Sequence, residues 1–168
     1  FGLPAAAPGQ APARMAQWLD ELARLHQGQA GLKPYANAAA VAERLRQNNP
    51  RLPADKALWL AGHWAQPDGQ GLWRVLGDPA HISPYLFRLE ETLAAYRAIT
   101  APVLAAHALD EKGRDSLGLL WRGQYTLAEY LERMRSVPDC RIEAVQGAGH
   151  MLHHDQPQAV ARLMESFL

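Results

Sequence analysis

Between residues 147 and 160 the chain reads GAGHMLHHDQPQAV, which sets three histidines and an aspartate between a glycine-bearing turn and an apolar run. Imidazole titrates near neutral pH and also ligates metals, so the cluster can hold a base, a metal site or a solvated helix entrance. His150 and His154 have the i, i+4 spacing of a helical zinc pair. That geometry needs one helix through both residues. Asp155 with Gln158 instead forms a capping box, and Pro157 suits a first helical turn, so the helix is expected to start at Asp155. With the histidines in a loop, and without the glutamate of the catalytic zinc motif, no metal is expected, and nothing calls for a cofactor. His153, His154 and Asp155 then read as helix entrance, with the Asp155 carboxylate accepting backbone N–H bonds. His150 remains as the candidate base.

A base of this kind needs an acid that fixes its tautomer and stabilises the imidazolium. Asp110 and Glu111 follow an earlier apolar run, and Asp115 in RDSLG is a third candidate if its loop folds back. The plain alternative is that these charges solvate a loop. Acid before histidine fits hydrolases whose triad runs nucleophile, acid, base. The nucleophile itself is missing, because none of Ser83, Ser116, Ser136 and Ser166 lies in a G-x-S-x-G elbow. Ser83 and Ser136 read as a helix cap and a helix end. Cys140, the one cysteine, precedes a strand and reads as a packed thiol.

Two strands must position these groups. APVLAAHA, 101–108, is a short apolar run after a proline and suits a strand buried on both faces; RIEAVQ, 141–146, is the second strand. Thr126 with Glu129 forms a capping box for a helix placing Leu127, Tyr130, Leu131 and Met134 on one stripe, and Val160, Leu163, Met164 and Phe167 repeat in the last helix. Strand, helix, strand, helix predicts a parallel pair, which brings both carboxyl ends to one edge and puts His150 near the acids. Two strands alone leave exposed edges, so the sheet is expected to be incomplete in this chain.

Residues 14–99 read as mainly helical. Met15, Trp18, Leu19, Leu22 and Leu25 share a face ahead of Gly28. Asn37 can cap a helix with Val41, Ala42 and Leu45 inward, and a third begins near Pro53 with Leu58, Ala61 and Trp64 on one side. Pro67-Asp68-Gly69 is a turn, LWRVL at 72–76 fits either strand or helix, and Ser83-Pro84 predicts a helix burying Leu86, Leu89, Leu93 and Tyr96. Trp59, Trp64 and Trp73 with His63 and His81 either line an apolar pocket or, more simply, pack the core.

Hydrophobic content of 48% supports a globular core, and 17 basic against 17 acidic residues give no basic patch for nucleic acid. No apolar run reaches bilayer length and no signal peptide precedes the first helix, so the expected protein is soluble and cytoplasmic. The chain opens on Phe1, directly in a Gly/Pro-rich turn, which reads as the middle of a longer protein.

These stretches resemble the α/β-hydrolase family, in particular bacterial esterase- and lipase-like members. ITAPVL matches the lead into the penultimate strand, DSLGLLW with YTLAEYLERM the connecting helix, and GAGHMLHHDQPQAVARLMESFL the closing strand, histidine and helix. FGLP resembles the turn leaving a preceding strand, and DPAHISPYLFRLEE resembles lid sequence. The resemblance implies an α/β fold made of the C-terminal portion of a hydrolase sheet, residues 101–168, preceded by a helical lid, residues 1–100. It implies that His150 is the general base, with the acid just after the first strand. The family often has glycine where this chain has Ala108, with the acid three residues on, which selects Glu111; a shift of one residue selects Asp110. The nucleophile and part of the oxyanion hole would come from a hydrolase segment upstream, acting on an ester-like small molecule. The reading from another class is a non-catalytic binding module that keeps an apolar pocket or pairs its open sheet edge with a partner.

Overall fold

The computed structural model describes residues 3–80 and 82–168. The chain divides into two compact units, Ala7–Leu86 and Phe87–Leu168, the latter joined by the segment 3–6.

In the first unit a 3-10 turn at Pro8–Gln10 leads into α1 (Ala11–His26), which stops before Gly28 at φ +69°. An Arg14–Glu21 ion pair at 3.1 Å joins two of its turns, and the Arg14 side chain also donates to the Ser83 carbonyl. α2 (Ala38–Asn48) starts where the Asn37 side chain accepts from the Ala40 amide at 2.9 Å. α3 (Ala54–Trp64) follows Pro53 and packs on α2 through Val41, Ala42, Leu52, Ala57, Leu60 and Ala61. The expected face of α3 is therefore rotated. Small residues at 57 and 61 let the two helices approach closely, while Leu58 is 52% and Trp64 41% exposed. Trp59 is also exposed, with the His63 ring 4.3 Å away; Trp73 packs against the core, and His81 lies outside the described residues.

The ambiguous segment at 72–76 contains a strand. β1 (Ala65–Pro67) and β2 (Trp73–Val75) form an antiparallel hairpin. Asp68 builds its turn, accepting from the Gln70 and Leu72 amides and from Arg74 Nε. The helix expected from Ser83 starts later, as α4 (Leu89–Arg97). Ser83 Oγ accepts from the Tyr85 amide and closes a local turn, while Glu90 and Glu91 give the actual helix its acidic first turn.

The second unit is built on β3 (Val103–Leu109) and β4 (Cys140–Gln146), which pair in parallel from Val103 opposite Cys140 to Leu109 opposite Gln146. Between them run α5 (Ser116–Leu120) and α6 (Leu127–Met134); α7 (Leu152–Asp155) and α8 (Pro157–Glu165) follow β4. On one face Ala105 and Ile142 meet Tyr125, Tyr130 and Met134, and on the other Ala108 and Val145 meet Leu152, Val160 and Leu163. This double cover is the usual condition of parallel strands. The expected capping box of α6 is present, with Thr126 Oγ accepting from the Glu129 amide at 3.3 Å and the Glu129 carboxylate from the Thr126 amide at 2.9 Å. No described helix is long and apolar enough to cross a membrane.

Thr126→Ala removes the hydroxyl half of that box, leaving the Thr126 amide on Glu129, and should lower unfolding stability by about 1 kcal/mol, read as a reduced urea midpoint at unchanged m-value.

Candidate active site

β4 ends at Gln146, and the chain turns at Gly147, φ +66°, where a Cβ would lie 3.1 Å from Gln156 Nε2. The next residues are fastened one by one. The Ala148 amide donates to the Leu109 carbonyl at 3.0 Å, joining the ends of the two strands. The Gly149 amide donates to the Asp155 carboxylate at 2.7 Å, and Gln156 Nε2 donates to the Gly147 carbonyl at 3.1 Å. His150 thus sits, exposed, at the end of a tethered loop beyond the carboxyl end of β4.

The helix expected to start at Asp155 begins instead at Leu152 and is broken after one turn. Gln156 precedes Pro157 and is forced out of the helical region, to φ −135° and ψ 58°, so α7 ends and α8 begins without a side-chain cap. The expected Asp155–Gln158 capping box does not form; Asp155 points its carboxylate back to Gly149. His153 and His154 touch in α7, with ring centroids 4.2 Å apart and planes tilted by 58°. Burial, and then the neighbouring His153, hold the His154 pKa below the usual imidazole value. His150 lies outside that turn, and no three of His, Cys, Asp and Glu converge on one point among the described residues.

The acids stand at the same edge, after β3. Asp110 opens a tight loop: its Oδ1 accepts from the Lys112 and Arg114 amides at 2.8 and 2.9 Å, and its Oδ2 from the Arg114 guanidinium at 2.7 Å. The Arg114 amide, followed by its guanidinium, holds the carboxyl down at about 2. Two contacts on each oxygen occupy the lone pairs, so Asp110 braces its own loop. Glu111 is exposed on that loop. Asp115 returns beside Leu109 in an antiparallel bridge and caps α5, its Oδ1 accepting from the Gly118 amide at 2.7 Å. Neither Asp110 nor Glu111 is hydrogen-bonded to His150, which has no hydrogen-bond partner among the described residues.

A cavity of about 480 Å³ runs along β3, lined by consecutive residues from Val103 to Ala108 and by Leu117, Trp121, His150 and Leu152. Side chains alternate faces along a strand, so lining by every residue in turn means that the cavity follows the strand's open edge. Ser116 and His107 also line it. His107 was not among the residues expected at the site. Its Nδ1 is buried without a hydrogen-bond partner among the described residues, and burial lowers its pKa, Asp115 acting in the opposite sense. The signal was a lone imidazole inside an otherwise apolar strand. Burial, with Asp139 adding to it, pushes the Cys140 thiol up, away from the thiolate a nucleophile needs.

No protein-family model and no curated protein matches the sequence. Solved structures do match in shape. A thioesterase domain from the curacin biosynthetic pathway superposes at TM-score 0.68 and 21% identity over 97% of this chain and 53% of its own. An esterase from Mycobacterium tuberculosis gives 0.64 and 17% over 98% and 52%. An α/β-hydrolase from Novosphingobium aromaticivorans DSM 12444 gives 0.53 and 16% over 97% and 54%. At these identities the likeness is one of fold: the chain has part of the α/β-hydrolase fold and spans about half the length of the structures it matches.

Asp110 is charged more readily in the folded chain, at about 2, than in an unfolded one, at about 4. Its stabilising contribution is therefore complete above pH ~4 and is lost as pH falls toward ~2. Asp110→Asn should lower stability at neutral pH and flatten this part of the stability profile, measured by urea unfolding across pH 2–6.

Proposed function

We propose that the chain is the C-terminal part of an α/β-hydrolase acting on an ester or related acyl substrate, with His150 as its general base. The observation that carries this reading is the placement of His150 on a tethered loop at the carboxyl end of a parallel strand, at the rim of an apolar cavity. Ligands of open parallel sheets collect at that edge. The nucleophile belongs to a segment upstream of residue 1, whose sheet strand adds along the open edge of β3 where the cavity now runs. His150 takes the nucleophile's proton as it attacks the acyl carbon and returns it to the leaving group. The lid comes from the first 100 residues, its compact part being the unit Ala7–Leu86, and the protein works in the cytoplasm.

Glu111 is the acid we assign to orient His150. The three-residue spacing from Ala108 supports this choice over Asp110 and Asp115. The binding-module reading draws on the same cavity, since an open strand edge also accepts a strand from a separate protein.

In the protein carrying the upstream segment, His150→Ala should lower kcat for p-nitrophenyl ester hydrolysis by at least about 1,000-fold with the fold intact by circular dichroism. Glu111→Gln should lower kcat by a comparable factor, and Asp110→Asn by much less. Full activity in His150→Ala would end the assignment, and no esterase activity in the unaltered protein would favour the binding module.

A further inference from the structure

Among the described residues one charged side chain is buried, that of Arg133 in the last turn of α6, at 5% exposure. No carboxylate pairs with it among those residues. A guanidinium taken out of water must have its hydration replaced, and its planar fork of donors makes the replacement directional. Here the replacement comes from segments distant in sequence. Nη1 donates to the Leu3 carbonyl at 2.8 Å, while Cζ lies 4.3 Å from the centroid of the Tyr125 ring and 5.3 Å from that of Phe87. Both rings are within the roughly 6 Å over which a cation is attracted to an aromatic face.

Leu3 and Phe87 have a particular place in the chain. The segment 3–6 is where the chain passes into the unit Ala7–Leu86, and Phe87 is where it returns. The Ala6 amide donates to the Phe87 carbonyl at 3.4 Å, so the two passages run side by side. One guanidinium therefore holds a carbonyl on the way in and a ring on the way out, and its own helix belongs to neither passage. Lysine has no planar fork with which to do both.

We propose that Arg133 is a positioning residue that clamps the neck of the inserted unit, fastening the entering segment at Leu3 and the leaving segment at Phe87 to α6. The proposal is independent of the hydrolase reading, since it rests on no residue of the candidate triad.

Hydrogen exchange by mass spectrometry on the full-length protein tests it. In Arg133→Lys and Arg133→Met, exchange at the Ala6 amide, bonded across the neck, should rise on the order of tenfold, while β3 and β4 keep their protection. Phe87→Leu leaves Arg133 in place and alters only the leaving segment, yet should raise exchange at Ala6 as well. This variant decides the matter if loss of the guanidinium prevents folding. Unchanged exchange at the neck in Arg133→Lys and Phe87→Leu, or a rise shared equally by β3 and β4, would overturn the proposal, because Arg133 would then be an ordinary core residue.

Discussion

The parallel register of β3 on β4 is the constraint on which the second unit depends. Leu109 lies opposite Gln146, so both strands finish at one edge, and the Ala148 amide closes onto the Leu109 carbonyl just beyond it. Had the strands run antiparallel, the loop after β3 and the loop bearing His150 would lie at opposite ends of the sheet. Parallel pairing also requires a crossover, which α5 and α6 provide, and apolar cover on both faces, which α6 and α8 supply. The helices of this unit and the edge where its polar groups gather are thus consequences of one pairing.

At that edge, carboxylates act first as builders of backbone. Asp110 closes the loop after β3, Asp115 starts α5, and Asp155 holds Gly149. Each satisfies amides that would otherwise be unpaired near the protein surface. Nearness to the histidine is therefore a poor guide to which acid could serve it; the acceptor sites left after the loop is built are a better one. By that measure Asp110, with both oxygens engaged, is a brace.

Much of this was legible in the sequence because local chemistry decided it. The Thr126–Glu129 box, the Asn37 cap and the two strands appear where short-range patterns put them. The failures came where a tertiary contact or a proline overrode the pattern. In α3, apolar residues run without a break from Ala57 to Ala61, so periodicity could not choose the inward face; close packing on α2 selected the alanines. At the last helix, Asp155 and Gln158 matched a capping box, but Pro157 broke the backbone between them. Nothing in an apolar strand pattern separates His107 from its packed neighbours; its Nδ1, without a hydrogen-bond partner among the described residues, stands out only beside the open edge of β3.

We propose above that this part of the fold holds a base whose nucleophile lies elsewhere in the protein. Labelling the full-length protein with a fluorophosphonate, followed by peptide mapping, tests it directly, since such reagents bond to a serine activated by a neighbouring base. The predicted result is one adduct on a serine upstream of residue 1, lost when His150 is replaced. An adduct on Ser116 or any other residue of this chain, or labelling that is indifferent to His150, would overturn the assignment of His150 as that base.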